Sequence, residues 1–374
     1  MLTPAAVSEV RRAVRAALAL EDGDATVRWT WRARVPESDF VDAVERHRAA
    51  IVLADHVDVL GLPTAVRREV VAQRDRERMG ALAQIRLTAA VDGLLAGVDH
   101  LFFKGVALAA LTTGDPGARG DGDVDVMVSP DRLADAARVL QADGWTVRPT
   151  YTSDQASWAW RYQRWGAHEM AFDRDGQTID LHWRLDPTYD GLPGFADLWA
   201  RRERVRIGPV AVDTLCSIDA FAHTLRHAAK DGWESLRSLV DVHRLAREPA
   251  LAGLPVDRVA AATLSATEAA IGLPACAPPF TRSSAPLPRL LAAQASPVRH
   301  ATVPGQRTVR QAGFRWRTSR TPRDLCVNAV TLLLPPASTA AIAERDPVKA
   351  IALAAQRRVR EVAWKLSGWR TEVP

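Results

Sequence analysis

The chain has 374 residues, 47 % of them apolar and 25 % charged, the balance of an ordinary folded protein with room for two or three domains. Wholesale disorder and a collagen-like chain are excluded. A net charge of +5 and a pI near 9.5 suit polyanionic ligands such as nucleotides, nucleic acid or phosphosugars, without choosing among them.

In chain order, Met1-Leu2-Thr3-Pro4 lacks the basic and apolar stretches of a secretory leader. Val7, Val10, Val14 and Leu18 then form a helical stripe, followed by a second through Phe40, Val44 and Ile51. A long third helix is predicted from near Pro63 to about Gly97. Residues 1–99 thus read as a helical region. Strand-type runs follow at His100–Phe103, Val124–Val128, Trp145–Arg148, Ala167–Asp173 and Thr178–Trp183. Between the second and third, Ser129 is the predicted N-cap of a helix with Leu133, Ala136, Ala137 and Leu140 on one face, closed by Gly144. Trp158 and Trp160 alternate as if to line a pocket or cover the sheet.

From Ser217 the pattern is helical again, interrupted at Asp231-Gly232 and resuming through Arg247. Residues 272–298 hold six prolines and read as a linker. In the tail, Arg307, Arg310, Arg315, Arg317, Arg320 and Arg323 make a basic cluster, a solvated face or a surface for nucleic acid or an anionic membrane. The organisation expected is 1–99 helical, 100–212 an α/β core, 213–271 helical and 272–374 linker and basic tail. The fold class expected is α+β, a small mixed sheet with flanking helices and helical regions at both ends. The most apolar run, Leu325–Leu334, is about half of the ~20 residues a membrane span needs. Cys216, Cys276 and Cys326 are scattered with no CxxC pair, so neither a disulfide framework nor a cysteine zinc site is supported. A cytoplasmic protein without a membrane span is expected.

The chemistry concentrates in Phe103-Lys104-Gly105 and in Arg119-Gly120-Asp121-Gly122-Asp123-Val124-Asp125-Val126. Residues two apart on a strand share a face, so Asp123 and Asp125 project together. Paired carboxylates repel unless a cation lies between them, and hard oxygen donors favour Mg²⁺ or Mn²⁺. The alternatives are a solvated turn and a calcium loop. The second is disfavoured by Val126 at its sixth position and Arg132 at its twelfth. Lys-Gly at a strand end before a helix offers amides and a point charge to a phosphate. Thr178-Ile179-Asp180-Leu181-His182-Trp183 alternates and places Asp180 and His182 on one face. His223, His227, Lys230 and Glu234 share a helical face if the helix continues past Gly232. Thr224 follows the first histidine where a zinc hydrolase needs glutamate, which argues against that reading.

The Lys-Gly loop, the Asp-x-Asp strand and a later lone aspartate resemble the DNA polymerase beta-like nucleotidyltransferase superfamily. The run LFFKGVALAAL, then ARGDGDVDVMV, then IDLHWRL, and the helical His227-Ala-Ala-Lys230-Asp-Gly-Trp233 resemble more closely its bacterial group of uncharacterised nucleotidyltransferases. The resemblance covers roughly residues 100–247. It implies transfer of an NMP, AMP first among them, from an NTP to an acceptor hydroxyl of a small molecule, peptide or protein. Asp123, Asp125 and Asp180 would be catalytic and hold two Mg²⁺ (or Mn²⁺) ions. Lys104, Gly105, Arg119, His182, His227 and Lys230 would serve the nucleotide and its phosphates. The superfamily has glycine or serine after the loop glycine, where this chain has Val106. That departure keeps open a nucleotide-binding regulatory module, and the basic tail keeps open an RNA-directed enzyme. Nucleic acid is admitted as a partner but not favoured.

Overall fold

The computed structural model describes residues 3–282 apart from 25, 27–28, 32–33, 121 and 188–190, and then 294, 313–319, 321–334, 348–349, 351–353, 355–356 and 360. The N-terminal elements are α1 (Pro4–Glu21), α2 (Glu37–His47), α3 (Ala50–Ala54) and α4 (Thr64–Leu94). Next come β1 (His100–Phe102), α5 (Gly105–Thr113), β2 (Val124–Val128), α6 (Leu133–Ala142), β3 (Thr146–Val147), α7 (Trp158–Gly166), β4 (Glu169–Arg174) and β5 (Gln177–His182). The chain continues with α8 (Phe195–Ala200), β6 (Glu203–Ile207), β7 (Val210–Thr214), α9 (Ser217–Lys230), α10 (Leu236–Leu245), α11 (Arg258–Ile271) and α12 (Pro322–Leu333). The class is α+β, with parallel and antiparallel strand pairs, as expected. None of the described helices is long and apolar enough to cross a membrane.

The chain forms two compact units, each assembled from separated stretches. The first comprises Met1–Gly93, Leu101–Val124 and Leu198–Phe314. Thr3 caps α1 by accepting the Ala6 N–H, with Pro4 in the first turn. The stripe of Val7, Val10, Val14 and Leu18 is buried as predicted. The second predicted stripe is divided: α2 stops at Arg48, whose φ of 51° is left-handed, and Ile51 falls on α3. Side chains from α1, α2, α3, α10 and α11, among them Val10, Phe40, Leu53, Leu239 and Ile271, close one apolar core. In the same unit β1 pairs parallel with β7, and β7 pairs antiparallel with β6.

The second unit comprises Leu94–His100, Asp125–Asp197 and Arg315–Pro374. Its strands run in the order β3-β4-β5-β2, with β3, β4 and β5 antiparallel neighbours. Apolar side chains of β2 and α6 alternate or recur inward: Val126, Val128, Leu133, Ala136 and Leu140 are all buried. The helix begins at Leu133, so Ser129 and Pro130 belong to the preceding turn and Ser129 is not its cap. Trp158 and Trp160 stand on α7, where they are two residues apart and on different faces; Trp160 is buried and Trp158 partly exposed. The alternation was a coincidence of helical sequence. The linker prolines beyond residue 282, and Arg307, Arg310 and Arg320, lie outside the described residues.

Candidate active site

In the second unit, the site starts from strand register. Antiparallel partners share a face, and β4 and β5 pair Glu169 with His182 and Ala171 with Asp180. Glu169, Asp180 and His182 therefore occupy one face, and β5 neighbours β2, which carries Asp125. His182 Nε2 lies 3.1 Å from Asp125 Oδ1 and 3.4 Å from Glu169 Oε2. His168, the residue before β4, brings its Nε2 to 3.3 Å from the same Glu169 oxygen. His182 is 1 % exposed and the Asp125 side chain 10 %, so their attraction is little screened by solvent. Arg148 is locked on Asp173 at 2.7 and 2.9 Å. Those bonds, and further off the Asp180 charge, raise its pKa.

Among the described residues two groups of three donors have their ligand atoms within 4.8 Å of one another: Asp125, Asp180 and His182, and His168, Glu169 and His182. Two carboxylates and an imidazole form a donor set that fits a hard or borderline divalent cation. Asp123 belongs to neither group. It stands exposed one residue before β2, with its carbonyl held by the Gln84 amide at 2.6 Å.

The remaining predicted residues lie in the first unit. Lys104 follows β1 by two residues with φ 61°, and Gly105 opens α5 with φ 45°. Left-handed backbone at two successive residues costs least with glycine, and turns the chain sharply into the helix. The Lys104 ammonium lies 5.2 Å from the Phe103 ring centre, and His223 packs edge-on against that ring at 5.3 Å. His227 neighbours His223, their rings 5.7 Å apart. Burial above all, and then the charges of Lys230, Lys104, His223 and Arg119, hold the His227 imidazole well below its ordinary pKa. It is neutral at pH 7 within a cationic neighbourhood.

Arg119 is committed to Asp241, with Nε 2.9 and 3.1 Å from the two carboxylate oxygens. Glu234 leaves the predicted face, because α9 ends at Lys230 and the chain turns through Gly232 and Trp233 at positive φ. The sequence reading also passed over Arg237, on α10. Burial, aided by Arg119 and Arg48, pushes its pKa down to about 9 despite the opposing Asp241 and Glu77. Its signal was its spacing four residues before Asp241, on the same helix face. Gln84 was missed as well, since nothing on α4 announces which glutamine meets a loop 39 residues away.

In the tail, Arg315 is not a solvated charge. It donates to Thr331 at 3.4 Å, and burial lowers its pKa against the pull of Asp186 and Glu169.

No curated protein and no solved structure matches this chain. A protein-family model does: the family described as uncharacterised nucleotidyltransferase matches residues 34–270. That span is well over half of the chain and takes in β2, β4 and β5 with their carboxylates. Nucleotidyltransferases generally use NTPs and divalent metals, to which such a donor set is suited. The chain belongs to this uncharacterised nucleotidyltransferase family and is a transferase of nucleotidyl groups.

Proposed function

We propose that the protein transfers an NMP, AMP first among them, from an NTP to an acceptor hydroxyl. The acceptor oxygen forms a bond to the α-phosphorus, the bond from that phosphorus to the β-bridging oxygen breaks, and pyrophosphate leaves. The observation that carries this reading is the gathering of Asp125, Asp180 and His182 donors within 4.8 Å on neighbouring strands of a family member.

Asp125 and Asp180, with Asp123 as the third carboxylate, are assigned to hold up to two Mg²⁺ ions, with Mn²⁺ as a substitute. Bound there, such ions neutralise phosphate charge and lower the pKa of a ligated hydroxyl. Asp180 accepts the acceptor proton in this scheme. His182 keeps Asp125 oriented through the 3.1 Å contact. Lys104, the Gly105 amide, His227 and Lys230 are assigned to the phosphates, where compact ammonium groups and helix-start amides suit an anion. Arg119 acts through Asp241 and is assigned to hold that neighbourhood in place.

A second reading, a nucleotide-binding module without turnover, is favoured by one observation. Val106 is 4 % exposed, so the position that elsewhere in the superfamily offers glycine or serine here fills the core.

The test incubates the chain with α-labelled NTPs, Mg²⁺ and a metabolite and peptide pool, beside Asp125→Asn and Asp180→Asn. Label should move to an acceptor with the native chain and fall at least ~100-fold in each variant. Undiminished transfer in either variant overturns the assignment. Tight Mg·ATP binding without transfer by the native chain favours the second reading.

A further inference from the structure

We propose that His168, Glu169 and His182 form a binding site for one divalent transition-metal ion of the zinc or cobalt class, separate from the Mg²⁺ assignment at Asp125 and Asp180. The argument begins with distances. Glu169 Oε2 has two imidazole nitrogens near it, His168 Nε2 at 3.3 Å and His182 Nε2 at 3.4 Å. Charge-assisted N–H···O bonds settle near 2.7–2.9 Å, so both contacts are long for hydrogen bonds. In a tetrahedral site with bonds of about 2.1 Å, neighbouring donors stand about 3.4 Å apart. Both contacts to Glu169 Oε2 thus already match two edges of such a site, and all three atoms lie within 4.8 Å of one another.

The chemistry of the donors points the same way. Two imidazoles and one carboxylate prefer zinc and its neighbours over Mg²⁺, which seeks oxygen alone. Three protein donors leave a fourth position for water. The site is preformed, because Glu169 and His182 are direct cross-strand partners on β4 and β5. His168 is fixed beside them: its carbonyl accepts the Trp183 N–H at 3.0 Å. Access is from the Glu169 side, whose side chain is 30 % exposed against 12 % for His168 and 1 % for His182. The Arg315 charge interacts with Asp186 and with Glu169.

Because the Nε2 that meets Glu169 also lies 3.1 Å from Asp125 Oδ1, an ion bound there takes the place of its proton, and His182 then cannot donate to Asp125. The proposal goes beyond nucleotidyl transfer and is measured without nucleotide, so its failure leaves that reading standing, and the reverse.

The experiment titrates the full-length, tag-free chain, stripped with chelator, with Zn²⁺ by calorimetry and with Co²⁺ by visible absorption. The native chain should bind one Zn²⁺ and develop Co²⁺ bands. His168→Ala and Glu169→Gln should weaken Zn²⁺ at least tenfold and erase the bands, while Asp180→Asn stays within about threefold of the native affinity. No Zn²⁺ uptake by the native chain overturns the proposal. So does native affinity in His168→Ala, or an equal loss in Asp180→Asn, which would place the ion on the carboxylates. If His168→Ala fails to melt cooperatively, X-ray absorption of the Zn²⁺-loaded native chain decides: two imidazole ligands support the site, and oxygen ligands alone overturn it.

Discussion

Gln84 is 4 % exposed on α4, and its Nε2 donates to the Asp123 carbonyl at 2.6 Å. A β-carbon added at Gly105 would stand 3.4 Å from that nitrogen and 3.6 Å from the Asp123 carbonyl, and one at Gly122 would stand 3.5 Å from it. One buried amide thereby bonds the residue before β2 and lies close to the start of α5. Gln84→Glu replaces the donor by a carboxylate facing a carbonyl. Its kcat for nucleotidyl transfer is expected to fall about tenfold or more, an unmade buried hydrogen bond costing about 1–3 kcal/mol. Gln84→Met, similar in volume, also unmakes this bond and should lower both transfer and Tm. Steady-state kinetics and melting on both variants check this, and full activity in Gln84→Glu would contradict it. Gly105→Ala meets both the tight contact and a φ of 45°, and should lower stability by about 1–2 kcal/mol in urea unfolding. At this scale the Asp180–His182 pair was legible, because alternation is a local property of a strand. Glu169 was not, since only the register of β4 against β5 sets it opposite His182.

Helix and strand boundaries followed local signals well where one element buries one stripe, as in α1, α4, α9 and α10. They failed where the backbone breaks a continuous pattern. The Phe40–Ile51 stripe is divided by Arg48 in the left-handed region, which no side-chain periodicity reveals. The β6–β7 hairpin was not predicted, although Val205, Ile207, Val210 and Val212 alternate about a Gly208-Pro209 turn. Glu203, Arg204 and Arg206 beside and between them masked the apolar beat. Gly208 has φ 59°, and a β-carbon there would stand 2.9 Å from Ile85 Cγ2. Gly208→Ala is expected to destabilise the chain by about 1–3 kcal/mol. Equilibrium denaturation measures it, and an unchanged midpoint would show the turn to be more yielding than its geometry.

For the whole molecule, burial first holds both His227 and His243 below the ordinary histidine pKa. His227 faces Lys104, Arg119, His223 and Lys230, with Asp231 Oδ2 3.6 Å from its Nδ1. His243 Nε2 stands 3.0 Å from Asp22, with Arg247 nearby. A depressed histidine binds its proton more readily when unfolded. The contribution is therefore complete above about pH 6.5 and lost as pH falls below it, by up to about 1.4 kcal/mol per pH unit for each group. Unfolding free energies from pH 7.5 to 5 should decline, and His227→Gln should make the decline shallower. An unaltered slope would show that His227 does not titrate there. The positive charges of Lys104, Lys230 and Arg119 around the neutral His227 ring also predict that millimolar pyrophosphate without metal raises Tm, and that Lys230→Ala reduces the rise.

Sequence alone determined the α+β class, the approximate limits of α4, α6, α9, α10 and the first five strands, and the identity of the carboxylate-bearing strands. Those depend on periodicities of two and 3.6 residues that a short window contains. Tertiary structure decided which residues become neighbours. Strand register placed Glu169 and His168 beside His182, and the packing of α4 brought Gln84 to Gly105 and Asp123. The pairing of Arg119 with Asp241, 122 residues on, committed to a carboxylate a charge that the sequence reading assigns to phosphate. Such contacts join residues far apart in the chain, so their partners are chosen by the folded geometry and leave no local mark.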